Sequence, residues 1–250
     1  MEFEVYPVEV RAADLASGRE NIPSMLLSLL FPLRCIHCGR PGEQLCPACE
    51  ERFAAIGPYV CRRCGKPSIR DVSTCGECRG RNLHFACSRA AYAYRGPARS
   101  LVHGLKYSGR RRLARLMADL TRGSDGLTEI CEAATLTFVP MHRNRKFDRG
   151  YNQAELYARA LAKRLGLSCR ALLLKRHPTE PQNRLDSLER KRNLAGSFSL
   201  RRRAAAGGRR VVLVDDVYTT GSTVAECARI LRQGLDAEVN VWTFARTVRR

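Results

Sequence analysis

Apolar and polar positions follow two different regimes along this chain. From about residue 86 onward, short apolar runs alternate with stretches of helical period. Val211 to Val214 are four consecutive apolar residues after Arg210, the pattern of a strand buried on both faces. Thr135–Val139, ended by Pro140, reads as another buried strand. Residues 89–95 and 169–176 read as two more. Glu238–Ala245 reads as the last, with Val239 and Val241 alternating and Phe244 out of phase. Between these runs, Leu113, Leu116, Met117 and Leu120 predict a helix over 110–122. A shorter helix over 98–107 precedes it, broken at Ser108-Gly109. Ala154, Tyr157, Ala158, Leu161 and Leu165 mark a helix over 151–165; Val224, Cys227, Ala228, Leu231 and Leu235 mark one over 222–235. Strands alternating with helices predict an α/β fold: a parallel sheet flanked by helices on both faces. Residues 178–208 are polar, basic and glycine-containing, and predict a long loop with room for a short hairpin.

The segment before residue 86 is organised by cysteine instead. Eight of the chain's 12 cysteines form four C-x2-C pairs: Cys35/Cys38, Cys46/Cys49, Cys61/Cys64 and Cys75/Cys78. Two such knuckles place four thiolates around one ion, and a four-cysteine site leaves no open position, so the metal is structural zinc. Cys-x-x-Cys-Gly recurs at 35–39 and 61–65, where glycine supplies the left-handed turn a knuckle needs. The segment is therefore an internal repeat, read as two zinc ribbons in tandem. Sequential pairing gives two ions; an interleaved pairing, or one surviving site, stays open. Disulfides would require an oxidising compartment. His37 lies inside a knuckle and is not counted as a ligand. Cys227 falls on an apolar helical face and reads as core.

Charge is unevenly distributed. The chain's 250 residues carry 44 Lys+Arg against 24 Asp+Glu, net +20. Residues 1–33 hold two Arg and five acids, so residues 34–250 carry net +23. Such a field attracts polyanions. The apolar run Met25–Phe31 predicts a short helix in an N-terminal extension, too short to span a bilayer. The acids before it have the wrong sign for a signal peptide, so a cytoplasmic location is expected. These readings divide the chain into the extension (1–30), a double zinc ribbon (31–85) and an α/β domain (86–250).

The most specific segment is Val211–Thr223, in which the apolar strand runs into two adjacent acids placed just before a short loop. Asp215 and Asp216 lead into Thr219, Thr220, Gly221, Ser222 and Thr223, and then a helix begins. In open α/β sheets, ligands bind at the carboxyl ends of strands. Backbone N–H groups and hydroxyls at a helix start suit a phosphate, and paired carboxylates suit sugar hydroxyls or Mg2+.

This segment resembles the phosphoribosyl pyrophosphate (PRPP) signature of type I phosphoribosyltransferases. The resemblance implies that Asp215 and Asp216 contact the ribose hydroxyls, that residues 219–223 cradle the 5′-phosphate, and that magnesium accompanies PRPP. Four knuckles followed by this signature resemble the ComF family, competence-associated proteins with a double zinc ribbon fused to a phosphoribosyltransferase-like domain. Supporting words are Leu105-Lys106-Tyr107, Val139-Pro140, Arg149-Gly-Tyr-Asn-Gln153, and Gln182, Leu185, Arg190, Asn193, Gly196 and Phe198 at their spacing. On this reading Lys106, His142, Arg143, Arg145, Lys146 and Arg149 are candidates for a pyrophosphate loop. Arg190 and Asn193 then belong to a flexible loop over 182–198 that closes on the site. A solvated charge run is the plain alternative for 143–149 and 190–192. Thr219 stands where purine-salvage members carry an Asp, which argues against a purine acceptor, and no residue is identified as catalytic. The family resemblance implies support for DNA uptake through handling of single-stranded DNA, with a helicase or recombination mediator as candidate protein partner. The alternatives are an active phosphoribosyltransferase of unknown acceptor, or a zinc-ribbon adaptor with a vestigial site.

Overall fold

The computed structural model describes residues 33–178 and 196–248. The expected N-terminal helix lies outside them, as does most of the 182–198 loop. In chain order the elements are α1 (Pro47–Glu50), β1 (Ser88–Ala93), α2 (Gly96–Tyr107), α3 (Leu113–Thr121), α4 (Leu127–Cys131), β2 (Thr135–Phe138) and α5 (Arg143–Arg149). They continue with α6 (Gln153–Leu165), β3 (Leu173–Lys175), β4 (Phe198–Leu200), β5 (Arg210–Tyr218), α7 (Ser222–Leu235) and β6 (Glu238–Arg246).

Four strands form a parallel sheet in the order β1-β6-β5-β2. The expected parallel sheet flanked by helices is therefore present. β5 and β6 are central, and Val211–Val214 are fully buried because both faces are covered. Successive side chains go to opposite faces. Val212, Val214, Trp242 and Phe244 pack with Leu101, Leu105, Leu113, Met117, Tyr157 and Leu161 from α2, α3 and α6. Val211, Leu213, Val239 and Val241 pack with Val224, Cys227, Ala228 and Leu231 of α7. Phe244 is out of phase with Val239 and Val241 because it serves the opposite face. Trp242 Nε1 donates to the Tyr157 hydroxyl at 2.9 Å, so the largest buried ring leaves no polar atom unmet.

Three expectations are corrected. Residues 169–176 do not form a strand of the main sheet. Cys169 makes a single parallel bridge to Leu136 at the outer edge of β2, and the chain then leaves. Leu173–Lys175 pairs instead with Phe198–Leu200, antiparallel, so the second strand of this hairpin falls within the expected loop. Residues 143–149 are a seven-residue helix, α5, rather than a loop. Its only large apolar residue, Phe147, is 89% exposed, so no apolar period marks it in the sequence. His142 caps its start and the left-handed Gly150 ends it.

The two ribbons pack on opposite faces of the sheet. Cys35, Cys46 and Cys49 share the core of α2 and α3, whereas Cys61, Cys64 and Cys78 share the core of α7. None of the helices among the described residues is long and apolar enough to cross a membrane.

Candidate functional site: two cysteine tetrads and an acid pair

The internal repeat is a repeat of hydrogen bonds as well as letters. Cys35 N donates to Arg40 O at 2.8 Å and Gly39 N to Cys35 O at 2.9 Å; Cys61 N donates to Lys66 O and Gly65 N to Cys61 O, both at 2.8 Å. Gly39 and Gly65 have φ of +77° and +69°, so both turns use the left-handed region as expected. The second knuckles also match, with Cys49 N to Cys46 O and Cys78 N to Cys75 O, both 2.9 Å. These turns gather Cys35, Cys38, Cys46 and Cys49 into one cluster and Cys61, Cys64, Cys75 and Cys78 into another, each with all thiol sulfurs within 4.8 Å. Sequential pairing is thereby selected over interleaving. The Cys38–Cys46 and Cys64–Cys75 sulfurs are 3.7 and 3.6 Å apart. That is far beyond a disulfide of about 2.05 Å. It fits a tetrahedron with metal–sulfur bonds of about 2.3 Å, whose edges are about 3.8 Å. Both tetrads therefore fit structural zinc. His37 stands apart, its Nδ1 hydrogen-bonded to Ser100 Oγ at 2.9 Å.

The acids stand near the carboxyl end of the strand, just before the loop, as the sequence suggests, and the strand runs two residues past them. β5 continues through them to Tyr218 and stays in register with β6 as far as Arg246. Asp215 and Asp216 are therefore held by the sheet itself, with Val217 and Tyr218 carrying the strand on to the loop. Asp216 is 3% exposed. Its Oδ2 forms an ion pair with Lys106 Nζ, from the last turn of α2, and its Oδ1 accepts from Gln153 Nε2 at 3.2 Å. Gln153 opens α6. The preceding Asn152 caps that helix by accepting from Ala154 N at 3.1 Å, and donates to Val139 O at 2.9 Å. The helix start is thus pinned to the end of β2. Asp215 Oδ1 accepts from the Asp216 backbone N–H at 2.9 Å.

The two carboxyls have opposite electrostatics. Burial raises the Asp215 pKa well above the ordinary carboxylate value, and the Asp216 charge adds to the rise. Burial also opposes ionisation of Asp216, but the Lys106 charge and hydrogen bonds outweigh it and hold its pKa below the ordinary value. The Lys106 ammonium is favoured in turn: burial works against it, and the Asp216 charge more than compensates.

The loop after β5 is short. Thr219 is exposed, the Thr220 and Ser222 hydroxyls are 3.1 Å apart, and Gly221 caps α7 in the left-handed region with φ +76°. A Cβ on Gly221 would overlap the Tyr218 hydroxyl, so this position requires glycine twice over. Thr223 follows in the first turn of α7.

Of the basic candidates, Lys106 and Arg149 join this network. Arg149 Nη1 donates to Gln153 Oε1 at 2.6 Å, and its guanidinium lies 5.5 Å over the Tyr107 ring. Lys146 turns away to Glu155 at 3.1 Å. His142 is buried, with Nδ1 accepting from Asn144 N at 3.3 Å, which gives it a helix-capping role. Arg143 is exposed at the start of α5. Arg190 and Asn193 lie outside the described residues. Sequence reasoning missed the contact of Gln153 with Asp216, although Gln153 closes the Arg149-Gly-Tyr-Asn-Gln word. It also missed Tyr218 and Arg81, whose contacts with the 219–221 loop no local pattern announces.

Comparison with known proteins agrees with this architecture. The double zinc ribbon domain family matches residues 26–79. The chain is 31% identical over 238 residues to DNA utilization protein YhgH of Escherichia coli (strain K12), covering 91% of this chain and 99% of that protein. It is 32% identical over 226 residues to competence protein F of Haemophilus influenzae, covering 86% and 98% respectively. It is 27% identical over 222 residues to competence protein ComFC of Bacillus subtilis, covering 86% and 89%. With two cysteine tetrads packed on the same parallel sheet that holds the acid pair, and relatives aligned over nearly their whole length, this chain belongs to the ComF family.

Proposed function

We propose that this protein supports DNA uptake and DNA utilization, binds PRPP or a related sugar phosphate at the end of β5, and handles single-stranded DNA. The names of its relatives support the biological role: competence in two, DNA utilization in the third. The single observation that carries the ligand reading is the acid pair itself. Two adjacent carboxylates are built into a central strand, one neutralised by Lys106, and a left-handed glycine opens a 14-residue helix directly after them. On this reading Asp215 and Asp216 accept hydrogen bonds from ribose hydroxyls, while Thr219, Thr220, Gly221, Ser222 and Thr223 receive the 5′-phosphate. Lys106 and Gln153 orient Asp216, and Arg149 steadies Gln153. Magnesium, a hard cation suited to oxygen donors, would supply charge neutralisation on the pyrophosphate. Because Lys106 already balances Asp216, the carboxylates serve hydroxyl recognition in this scheme. Net +23 over residues 34–250 supports contact with a nucleic-acid backbone. The ribbons would then be free to recruit a helicase or recombination mediator.

The test is calorimetric titration of PRPP with Mg2+ into the zinc-loaded protein, with and without a short single-stranded oligonucleotide. Binding that disappears in the Asp215→Asn/Asp216→Asn double variant supports the site. Absence of binding to the wild type rejects it. Consumption of PRPP with release of pyrophosphate would favour pentosyl transfer to an acceptor over binding alone.

A further inference from the structure

The second cysteine tetrad and the 219–221 loop share one piece of packing. Arg81 lies three residues beyond Cys78. Its Nη2 donates to the Thr220 carbonyl at 2.7 Å, and its Nη1 turns back to Glu77 O at 3.4 Å, inside the Cys75–Cys78 knuckle. Arg63, between Cys61 and Cys64, donates to the Arg81 carbonyl at 3.4 Å. On the other side of the loop stands Tyr218, 4% exposed, with its hydroxyl against Gly221. The guanidinium of Arg246, 2% exposed, lies 5.0 Å over the Tyr218 ring and donates to the Cys64 carbonyl. Thr247 N donates to Tyr218 O at 2.9 Å. Arg81 thus ties the Thr220 carbonyl of the loop to the Glu77 carbonyl of the ribbon, and Arg246 ties the ribbon's Cys64 carbonyl to the ring of Tyr218. The first tetrad is anchored elsewhere: His37 bonds Ser100, Ile56 N donates to Ala91 O, and Ala54 O accepts from Ala93 N.

A trans peptide is planar, so the Gly221 N–H points opposite to the Thr220 C=O. Holding that carbonyl against the ribbon aims the Gly221 N–H away from it. We propose that Arg81 is a positioning residue that transmits the metal-bound shape of the second tetrad to the peptide between Thr220 and Gly221, so that metal at this tetrad, and not at the first, sets the loop's conformation. A zinc ion holding Cys75 and Cys78 keeps the knuckle closed and Arg81 in reach of Thr220. Metal loss frees the knuckle, and the loop loses one of its two lateral supports. The consequence for phosphate affinity rests on the ligand reading above; the consequence for loop conformation does not.

The experiment is hydrogen exchange by mass spectrometry on the full zinc-loaded chain, following the peptide that contains residues 218–225, alongside metal analysis and PRPP titration. Arg81→Ala should retain both ions, speed exchange of the loop amides about tenfold or more, and weaken PRPP binding about tenfold. Arg81→Lys should restore part of the protection. Removing metal from the first tetrad alone, by Cys38→Ser, should leave loop exchange unchanged. Unchanged loop exchange in Arg81→Ala overturns the proposal. So does loss of zinc in that variant, which would make Arg81 part of the ribbon's own fold. Faster exchange in a protein whose wild type binds no PRPP would uphold the coupling and reject the ligand reading instead.

Discussion

Lys106 and Asp216, 110 positions apart in the chain, form an ion pair in which the carboxylate side chain is 4% exposed and the lysine 21%. The pair joins the last turn of α2 to the central strand β5, and it gives the acid pair its asymmetry.

Breaking this pair from one side leaves a charge buried without its counterion. Lys106→Met should therefore cost about 3 kcal/mol of folding stability. The Lys106→Met/Asp216→Asn double variant should recover a substantial part of it. Chemical denaturation of the three proteins checks this; additive losses in the double variant would reject the pairing.

The two acids should respond to pH in opposite directions. Asp216 has a lowered pKa in the fold. Its contribution is present above its unfolded value of about 3.9, and is lost as pH falls through the lowered value. Asp215 has a raised pKa. It imposes no penalty below about 3.9, and a growing one as pH rises towards the raised value. Asp215→Asn should therefore raise the melting temperature at pH 7, with the gain shrinking in acid, whereas Asp216→Asn should lower it. Thermal melts from pH 3 to 8 decide this, and equal effects of the two substitutions would contradict it.

Metal content should be two zinc ions per chain. Cys38→Ser should keep the second, because each tetrad closes its own site. Elemental analysis of freshly purified, reduced protein measures both quantities. A metal-free wild type would rule out the structural-zinc assignment.

Gly221→Ala should destabilise the loop on two counts. The left-handed backbone costs a residue with a Cβ about 1–2 kcal/mol, and the methyl group would overlap Tyr218. Tyr218→Phe removes the hydroxyl and should relieve part of the overlap, so the double variant should melt above Gly221→Ala alone. A neutral Gly221→Ala would show that the loop adopts another conformation.

Binding of single-stranded DNA should weaken steeply with salt. With about six phosphate contacts, affinity should drop roughly 10³-fold between about 50 and 200 mM. Fluorescence anisotropy with a labelled oligonucleotide reads the slope directly. A flat response would argue against the basic surface as the contact.

Much of the architecture was written in local pattern. Val211–Val214 announced a strand covered on both faces, because parallel sheets need long apolar runs where helices lie on both sides. The two Cys-x-x-Cys-Gly words announced the ribbons, because a knuckle needs two thiols and a left-handed turn within five residues. α5 escaped because a short exposed helix buries nothing, and so leaves no apolar period. The pairing of β3 with β4 escaped because the strands are three residues each and are separated by 22 residues of chain.

The sequence by itself determined the eight candidate cysteine ligands, the strand that carries Asp215 and Asp216, and the glycine that opens α7, since each depends on residues close together in the chain. Tertiary structure alone decided that the cysteines pair sequentially, that Lys106 balances the Asp216 charge, and that Arg81 reaches Thr220 across 139 positions. The last two depend on the chain crossing over to bring distant segments to one end of the sheet, and no local pattern of apolar and polar residues encodes which distant partner will arrive there.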